Sequence, residues 1–450
     1  MTMPDDAPRA PLTSAEVRAL FTPRALRGTW LEIEAALAET QAELGLIPAE
    51  AAQAIRAVAS FDVIDAEALA RDIARTRAPI VSLVRALAEA AGDPAGGYVH
   101  WGATTQNVIQ TGRTMAMKRA HGAFLARFDR VLGQLADMAE REARTLTVAR
   151  TNRRHALPVT WGFKLAAWIE EWLRHRDRLS EAAPRVFCAQ WGGAVGAMHA
   201  VGPQGAALNA RLSARLGLGH MRVPSRAAQD GTAEYVMLMG LFGATCAKIA
   251  RDLFTLMADE IDEVAEDVGD EVVGSSTMPH KVNSKIAVEA IALAARLRAQ
   301  VTLAFDAMQP SHEGDASSSL MVAPMIAEVC PLAVELAETM EELFAALRLD
   351  PDRMRRNLDL TGEYVASENL MMVLGPVIGR TRAHDILHHA IADAGDDRAL
   401  SDKLLSPGVL PAGVEPAQVR AALDPAAYVG QSVEMALEMA DVARQVLRTP

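Results

Sequence analysis

The reactive side chains of this sequence crowd into Gly269–Lys285, which reads G-D-E-V-V-G-S-S-T-M-P-H-K-V-N-S-K. Hydroxyls at Ser275, Ser276 and Thr277, an imidazole at His280, ammonium groups at Lys281 and Lys285 and an amide at Asn283 follow in quick succession. Gly269, Gly274, the paired serines and Pro279 favour a loop over a helix. Asn283 or Ser284 is suited to cap a helix that begins near Ile286. The loop would then end at a helix N-terminus with lysine charge beside it, a natural place for a carboxylate. A flexible surface loop with an ordinary cap has the same composition, so the residues alone leave both readings open.

Three other stretches carry polar groups in suggestive order. Val99–Gly112, V-H-W-G-A-T-T-Q-N-V-I-Q-T-G, sets His100 ahead of a hydroxyl pair, Thr104 and Thr105, at the head of a helix. Free N–H groups there suit either an anion or a simple cap. Ala149–Gly162, A-R-T-N-R-R-H-A-L-P-V-T-W-G, holds Asn152 and His155 beside Arg153 and Arg154, which are either an anion clamp or the solvated start of a helix. Ala189–Ala197, A-Q-W-G-G-A-V-G-A, follows Gln190 with glycines, but without a preceding strand they are a weak signal for a phosphate cradle.

Taken as strings, these stretches resemble the fumarase/aspartase superfamily, which includes fumarase, aspartase, argininosuccinate lyase, adenylosuccinate lyase and the bacterial 3-carboxy-cis,cis-muconate cycloisomerase. G-S-S-T-M-P-H-K-V-N is similar to its signature loop. The resemblance implies that Ser275 is the general base, that Lys281 and Asn283 hold a substrate carboxylate, and that Ser276 stands beside them. V-H-W-G-A-T-T-Q-N resembles the H-x-G-x-T-S-x-D block, with Asn107 for the usual Asp. It assigns His100 to the site and Thr104 and Thr105 to carboxylate binding. The third block resembles G-R-T-H-x-x-H-A-x-P-x-T-x-G of adenylosuccinate lyases. Asn152 replaces the first histidine there, the usual general acid, and an amide cannot protonate a leaving group. His155 matches the second histidine and could serve as acid or as a substrate contact; the proton would come from His155, His100 or water, or the leaving group needs little help, and Asn152 is taken as a substrate contact. Gln190 and its glycines resemble the adenylosuccinate lyase and cycloisomerase branch, as does Gly375–His384. The cycloisomerases also lack the first histidine.

Departures bear on the substrate. Where adenylosuccinate lyases carry Q-R-D-R-x-x-E, Ala228–Glu234 reads A-Q-D-G-T-A-E; where H-E-R-D is usual, Ser311–Asp315 reads S-H-E-G-D, with Gly314 in place of Arg. Loss of these arginines removes bidentate anion clamps and argues against a nucleotide. The resemblance therefore implies a cofactor-independent lyase without a metal. It would catalyse anti β-elimination on a small succinyl-type di- or tricarboxylate, breaking a C–N or other C–heteroatom bond to give a fumarate-like product. A 3-carboxy-cis,cis-muconate cycloisomerase is the alternative; adenylosuccinate lyase and a catalytically silent relative stand behind both. The chemistry is consistent. A weakly acidic proton beside a carboxylate leaves a dianionic aci-carboxylate, which fixed cations and N–H dipoles stabilise. A serine must itself be deprotonated by loop closure and local positive charge.

The elements that must position these groups are helices, and the expected fold is all-α. Apolar residues recur at helical spacing within Arg113–Arg141 and Trp30–Leu44, and Thr232–Glu266, Ile286–Met308 and Met321–Leu349 are apolar on nearly every face, the last bent or broken at Pro324 and Pro331. Residues 1–98 are expected to form an N-terminal helical domain and residues 99–349 a central long-helix bundle with the signature loop 269–285. Residues 350–450 complete a C-terminal helical domain, opened by Asp350 as cap and Pro351 at the first position. Such apolar helices want partners, so a homo-oligomer is expected; the resemblance implies a homotetramer with active sites shared between subunits. A net charge of −12 disfavours a nucleic-acid partner. Cys188, Cys246 and Cys330 show neither metal nor disulfide spacing. The start of the chain lacks a signal-peptide pattern, and the uncharged run Tyr235–Ala247 is too short for a bilayer. A cytoplasmic protein with no membrane partner is expected.

Overall fold

Ala, Leu, Val and Met supply most of the apolar side chains, and the computed structural model turns them into an all-α architecture of long helices. It describes residues 10–269, 277–278, 280–392, 398–410 and 413–448; Ser275 and Ser276 lie outside the described residues. Five long helices dominate: Thr105–Arg141, Trp161–Val186, Asp230–Leu256, Ile286–Ala307 and Ala316–Ala346. The last is continuous through Pro324 and Pro331 rather than interrupted. Each proline removes one backbone hydrogen bond, but Val322, Met325, Ile326, Val329 and Leu332 are buried around them, and that packing holds the helix together. Asp230–Leu256 and Ala316–Ala346 are long and apolar enough to cross a membrane by length and composition, which revises the estimate made from Tyr235–Ala247; 67% and 61% of their apolar windows are buried inside the protein, as core helices would be.

Two compact units can be distinguished, residues 1–128, 175–247 and 290–339 in the first and 129–174, 248–289 and 340–450 in the second. In the first, Leu31, Ile55, Leu83 and Leu87 join helices Pro23–Glu43, Ala49–Val58 and Pro79–Ala91 in one core. Deeper, Phe124 meets Phe242 edge-on at 5.0 Å, the geometry that aromatic quadrupoles favour. In the second, Leu370, Leu374, Leu387, Leu400 and Val419 form the core of the C-terminal helices. Asp350 does cap Pro351–Asp359, accepting from the Arg353 N–H at 2.8 Å.

Two segments depart from the helical reading. Residues 146–160 form a β-hairpin, strand β1 (Leu146–Thr151) paired antiparallel with β2 (Arg154–Thr160). Asn152 and Arg153 both have positive φ, 50° and 63°, the two-residue turn whose twist suits a hairpin. Arg153 thus lies in the turn and Arg154 opens β2, and the helix starts only at Trp161. The second is the end of the Asp230 helix, which stops at Leu256 instead of running to Glu266. The chain turns at Asp262 (φ 54°), and Val264–Glu266 pairs with Leu347–Leu349. Burial of Glu263 explains the break. Its carboxylate accepts from Arg150 Nη1 at 3.0 Å and Asn357 Nδ2 at 2.8 Å, partners that outweigh local helix propensity.

Candidate active site

In the first unit, Thr104 and Gln190 are tied into one network through Asn107, with Thr105 next in the chain and His100 just ahead of it. Thr105 opens the 37-residue Thr105–Arg141 helix, so Thr104 stands at its cap. The Thr104 N–H donates to Asn107 Oδ1 at 3.1 Å, the Gly193 N–H donates to the same oxygen at 3.1 Å, and Asn107 Nδ2 donates to the Gln190 carbonyl at 2.9 Å. Asn107 is buried, and an aspartate there could not make the third bond. The sequence departure at 107 is thereby explained: the amide ties the helix head to the 190–193 segment. Gln190 is held at both ends, its N–H donating to Thr111 Oγ1 at 3.1 Å and its Nε2 to the Ala228 carbonyl at 3.0 Å, while its Oε1 has no partner among the described residues. The glycines allow this packing. A Cβ on Gly192 would stand 2.4 Å from Pro224 Cγ, and Gly193 needs its φ of 76°. They serve close approach rather than a phosphate.

His100 has a left-handed backbone (φ 62°), and its Nδ1 lies 2.6 Å from Oε1 of Glu34, a carboxylate with no exposed side-chain surface. Gln41, two turns along the same helix, donates to the Trp101 carbonyl at 2.6 Å. The Pro23–Glu43 helix therefore fixes the His100 loop through Glu34 and Gln41.

In the second unit, Asn152 is exposed in the hairpin turn, and His155 follows on β2 directly across from Arg150. His155 Nδ1 lies 2.6 Å from Thr361 Oγ1. Burial, and then the Arg150 guanidinium, push the His155 pKa below the usual imidazole range, with Glu263 only partly opposing them. Lys281 is exposed and Asn283 half-buried beside a cavity of about 540 Å³ that Phe254, Met257 and His280 also line. The Ile286–Ala307 helix does begin where expected, but its N-terminus is not open to a ligand. Glu266 fills it, accepting from Ser284 Oγ at 2.8 Å and from the N–H groups of Lys285 (2.7 Å), Ile286 (3.1 Å) and Ala287 (2.8 Å). The carboxylate site anticipated from Asn283 and Ser284 is thus taken by the protein's own carboxylate, which reaches it from the Val264–Glu266 strand. Among the described residues, no three His, Cys, Asp or Glu side chains are grouped to hold a metal ion.

Residues 10–298 match the family model described as lyase, and residues 363–439 match that of the adenylosuccinate lyase C-terminus. The chain belongs to the fumarase/aspartase superfamily. This superfamily enzyme is 36% identical over 431 residues to a 3-carboxy-cis,cis-muconate cycloisomerase of Pseudomonas aeruginosa, covering 94% of each chain. It is 33% identical over 419 residues to an N-acetyl-S-(2-succino)cysteine lyase of Enterococcus italicus, covering 93% of this chain and 92% of the relative. The crystal structure of a fumarate lyase from Mesorhizobium sp. BNC1 superposes with a TM-score of 0.87 at 30% identity, covering 96% of this chain and all of that one. For a fumarase/aspartase enzyme, the residues that sequence reasoning overlooked are Glu34 behind His100 and Glu266 under the signature loop. Glu34 left a faint signal, an acid between Ile33 and Ala35 on a face that is otherwise buried.

Proposed function

We propose that the enzyme eliminates across the C–heteroatom bond of a small succinyl adduct to release fumarate or a fumarate-like acid, and that sulfur is the preferred leaving atom. The network at the head of the Thr105–Arg141 helix carries this reading. It sets the hydroxyls of Thr104 and Thr105 at a helix head, a place that suits an anion, near an imidazole backed by a buried carboxylate. Thr104 and Thr105 bind one succinyl carboxylate; Lys281 and Asn283 bind the other, with Ser276 and Gln190 as further contacts. Ser275 takes the proton from the carbon next to the carboxylate. The electron pair is held as an aci-carboxylate, then forms the C=C bond as the C–S bond breaks and the thiolate leaves.

Acid chemistry selects the leaving group. Asn152 supplies no proton, and His155, with its lowered pKa, is neutral at neutral pH. A thiolate, whose conjugate acid has a pKa of about 8.5, leaves with little help, whereas an amine must be protonated. His100 is the remaining donor, its ring held through Nδ1 by the Glu34 carboxylate. The likeness to an N-acetyl-S-(2-succino)cysteine lyase supports sulfur. Cycloisomerisation of 3-carboxymuconate is the second reading. A lactone's carboxylate also departs without an acid, so Asn152 suits it equally, and a relative of that name is 36% identical. Adenylosuccinate lyase activity fits less well, because Gly231 and Gly314 leave its arginines unreplaced in sequence. The assembly we propose is a homotetramer with sites completed by neighbouring subunits; exposed Leu241, Phe305 and Leu320 on the long helices support a partner surface.

One comparison tests the reading: initial rates of fumarate release from an S-succinyl thiol and an N-succinyl amine, beside lactone turnover with 3-carboxymuconate. The proposal expects the thioether to be fastest. Faster lactone turnover favours the second reading, and a faster amine removes the argument from Asn152.

A further inference from the structure

An arginine from elsewhere in the chain lies over position 314. Gly314 has φ 134°, and a Cβ built on it would come within 2.9 Å of Arg226 Nε, 3.3 Å of its Cγ and 3.5 Å of its Cδ. The Arg226 side chain therefore lies across bare backbone that only glycine leaves open. Its own backbone is fixed, since the Arg226 carbonyl accepts from Gln110 Nε2 at 2.9 Å and Gln229 Nε2 at 3.2 Å. Gln110 belongs to the helix headed by Thr105.

The guanidinium lies beside the segment that is tied to the head of that helix. Arg226 Nη1 approaches the Ala194 carbonyl at 3.5 Å, too long to engage it fully. Ala194 follows Gly193, whose N–H shares Asn107 Oδ1 with the Thr104 N–H. Ser319 Oγ reaches Gln106 Oε1 at 3.4 Å, so the chain beyond Gly314 also returns to this helix head. Arg226 is half-buried and makes no ion pair among the described residues. An ordered guanidinium, partly desolvated and with its fork unused, is suited to a carboxylate.

We infer that Arg226 is a specificity-determining residue that binds a carboxylate on the leaving-group half of the substrate. The inference rests on the succinyl-elimination reading and deepens it. In that reading the two succinyl carboxylates are already taken, one by Thr104 and Thr105 and the other by Lys281 and Asn283. A further guanidinium at the same helix head calls for a third carboxylate, so the substrate class is the succinyl adduct of an amino or mercapto acid rather than of a simple amine or thiol.

The test compares two thioethers, one with a leaving thiol that carries a carboxylate (succinylated cysteine) and one without (succinylated ethanethiol). Arg226→Gln should lower the ratio of their kcat/KM values by about 10–100-fold, the range for losing a charged hydrogen-bonded partner, mainly through KM. Arg226→Lys should fall between, because charge is kept but the fork is lost. An unchanged ratio overturns the inference, whether or not both rates drop together. If wild type turns over neither thioether, the functional reading has failed, and calorimetry with propane-1,2,3-tricarboxylate against succinate decides the inference separately. A wild-type preference for the tricarboxylate that Arg226→Gln erases sustains it, and equal affinities in wild type overturn it.

Discussion

Glu266→Gln changes one atom type and leaves volume and shape intact, yet it should loosen the exit of the signature loop. Both carboxylate oxygens are in use: Oε1 accepts from Ser284 Oγ and the Ala287 N–H, Oε2 from the Lys285 and Ile286 N–H groups. An amide keeps one oxygen and turns an NH2 toward the other pair; the Ser284 hydroxyl can turn to accept from it, but at least one backbone N–H loses its acceptor. That lost charge-assisted hydrogen bond is worth about 1.5–3 kcal/mol, the remaining ones weaken with the charge, and about 0.3–1 kcal/mol of favourable interaction with the helix dipole goes too. Water entering the opened end returns part of this, so a local cost of about 3 kcal/mol is reasonable, or roughly a 100-fold rise in the opening constant. Hydrogen exchange followed by mass spectrometry on a peptide spanning residues 284–290 should show protection reduced by that factor. Fumarate release should fall as well, because Lys281 and Asn283 lie just upstream. Unaltered protection, with activity near wild type, would refute the idea that the protein's own carboxylate anchors this helix and loop.

Other expectations concern charge and assembly. His121 is packed against Phe124, Phe187 and Tyr235, and burial first, then Lys118, pushes its pKa down to about 4. Its neutral form is the folded one, so stability present above pH 6.5 is lost as pH falls toward about 4, by up to roughly 3 kcal/mol; His121→Phe should flatten the Tm profile across that window, and an unchanged acid limb would contradict this. Arg113 is buried with Gln229 Oε1 at 3.2 Å from its Nη2 and no ion pair among the described residues, and burial pushes its pKa down to about 10. Arg113→Met should raise unfolding stability by about 1–4 kcal/mol in a denaturant titration, whereas a loss would show that the charge has an anionic partner. Thr104→Ala and Lys281→Ala proteins should each be inactive, and mixing them under reversible dissociation should restore part of the activity if one site draws on different subunits; no recovery counts against shared sites.

The long helices were legible because apolar side chains recur on a 3.6-residue period over many turns, and burial of Phe124, Phe128, Val131, Leu132 and Leu135 follows that period. The hairpin was not. β1 and β2 contain Arg150, Thr151, Arg154 and His155 and are too short to show an alternation, while the turn depends on Asn152 and Arg153 entering the left-handed region together. Glutamates were the main blind spot at the site. Glu34, Glu263 and Glu266 look like ordinary surface acids in the sequence, and only tertiary structure shows which donors each one meets. The hydroxyl pair at Thr104 and the departure at Gly314 were visible, but the amide tie at Asn107 and the arginine lying over Gly314 come from segments distant in the chain. Periodicity is a local property and survives in one dimension, whereas the choice of polar partner does not.

The most direct test of the account is fumarate formation from a succinyl thioether by wild type and by Ser275→Ala, in water and in deuterium oxide. Steady release by wild type is expected, abolished by the single substitution, and the reverse reaction run in deuterium oxide should place one deuterium on the carbon beside the carboxylate. Sustained release by Ser275→Ala, or product without label on that carbon, would contradict proton abstraction by this serine.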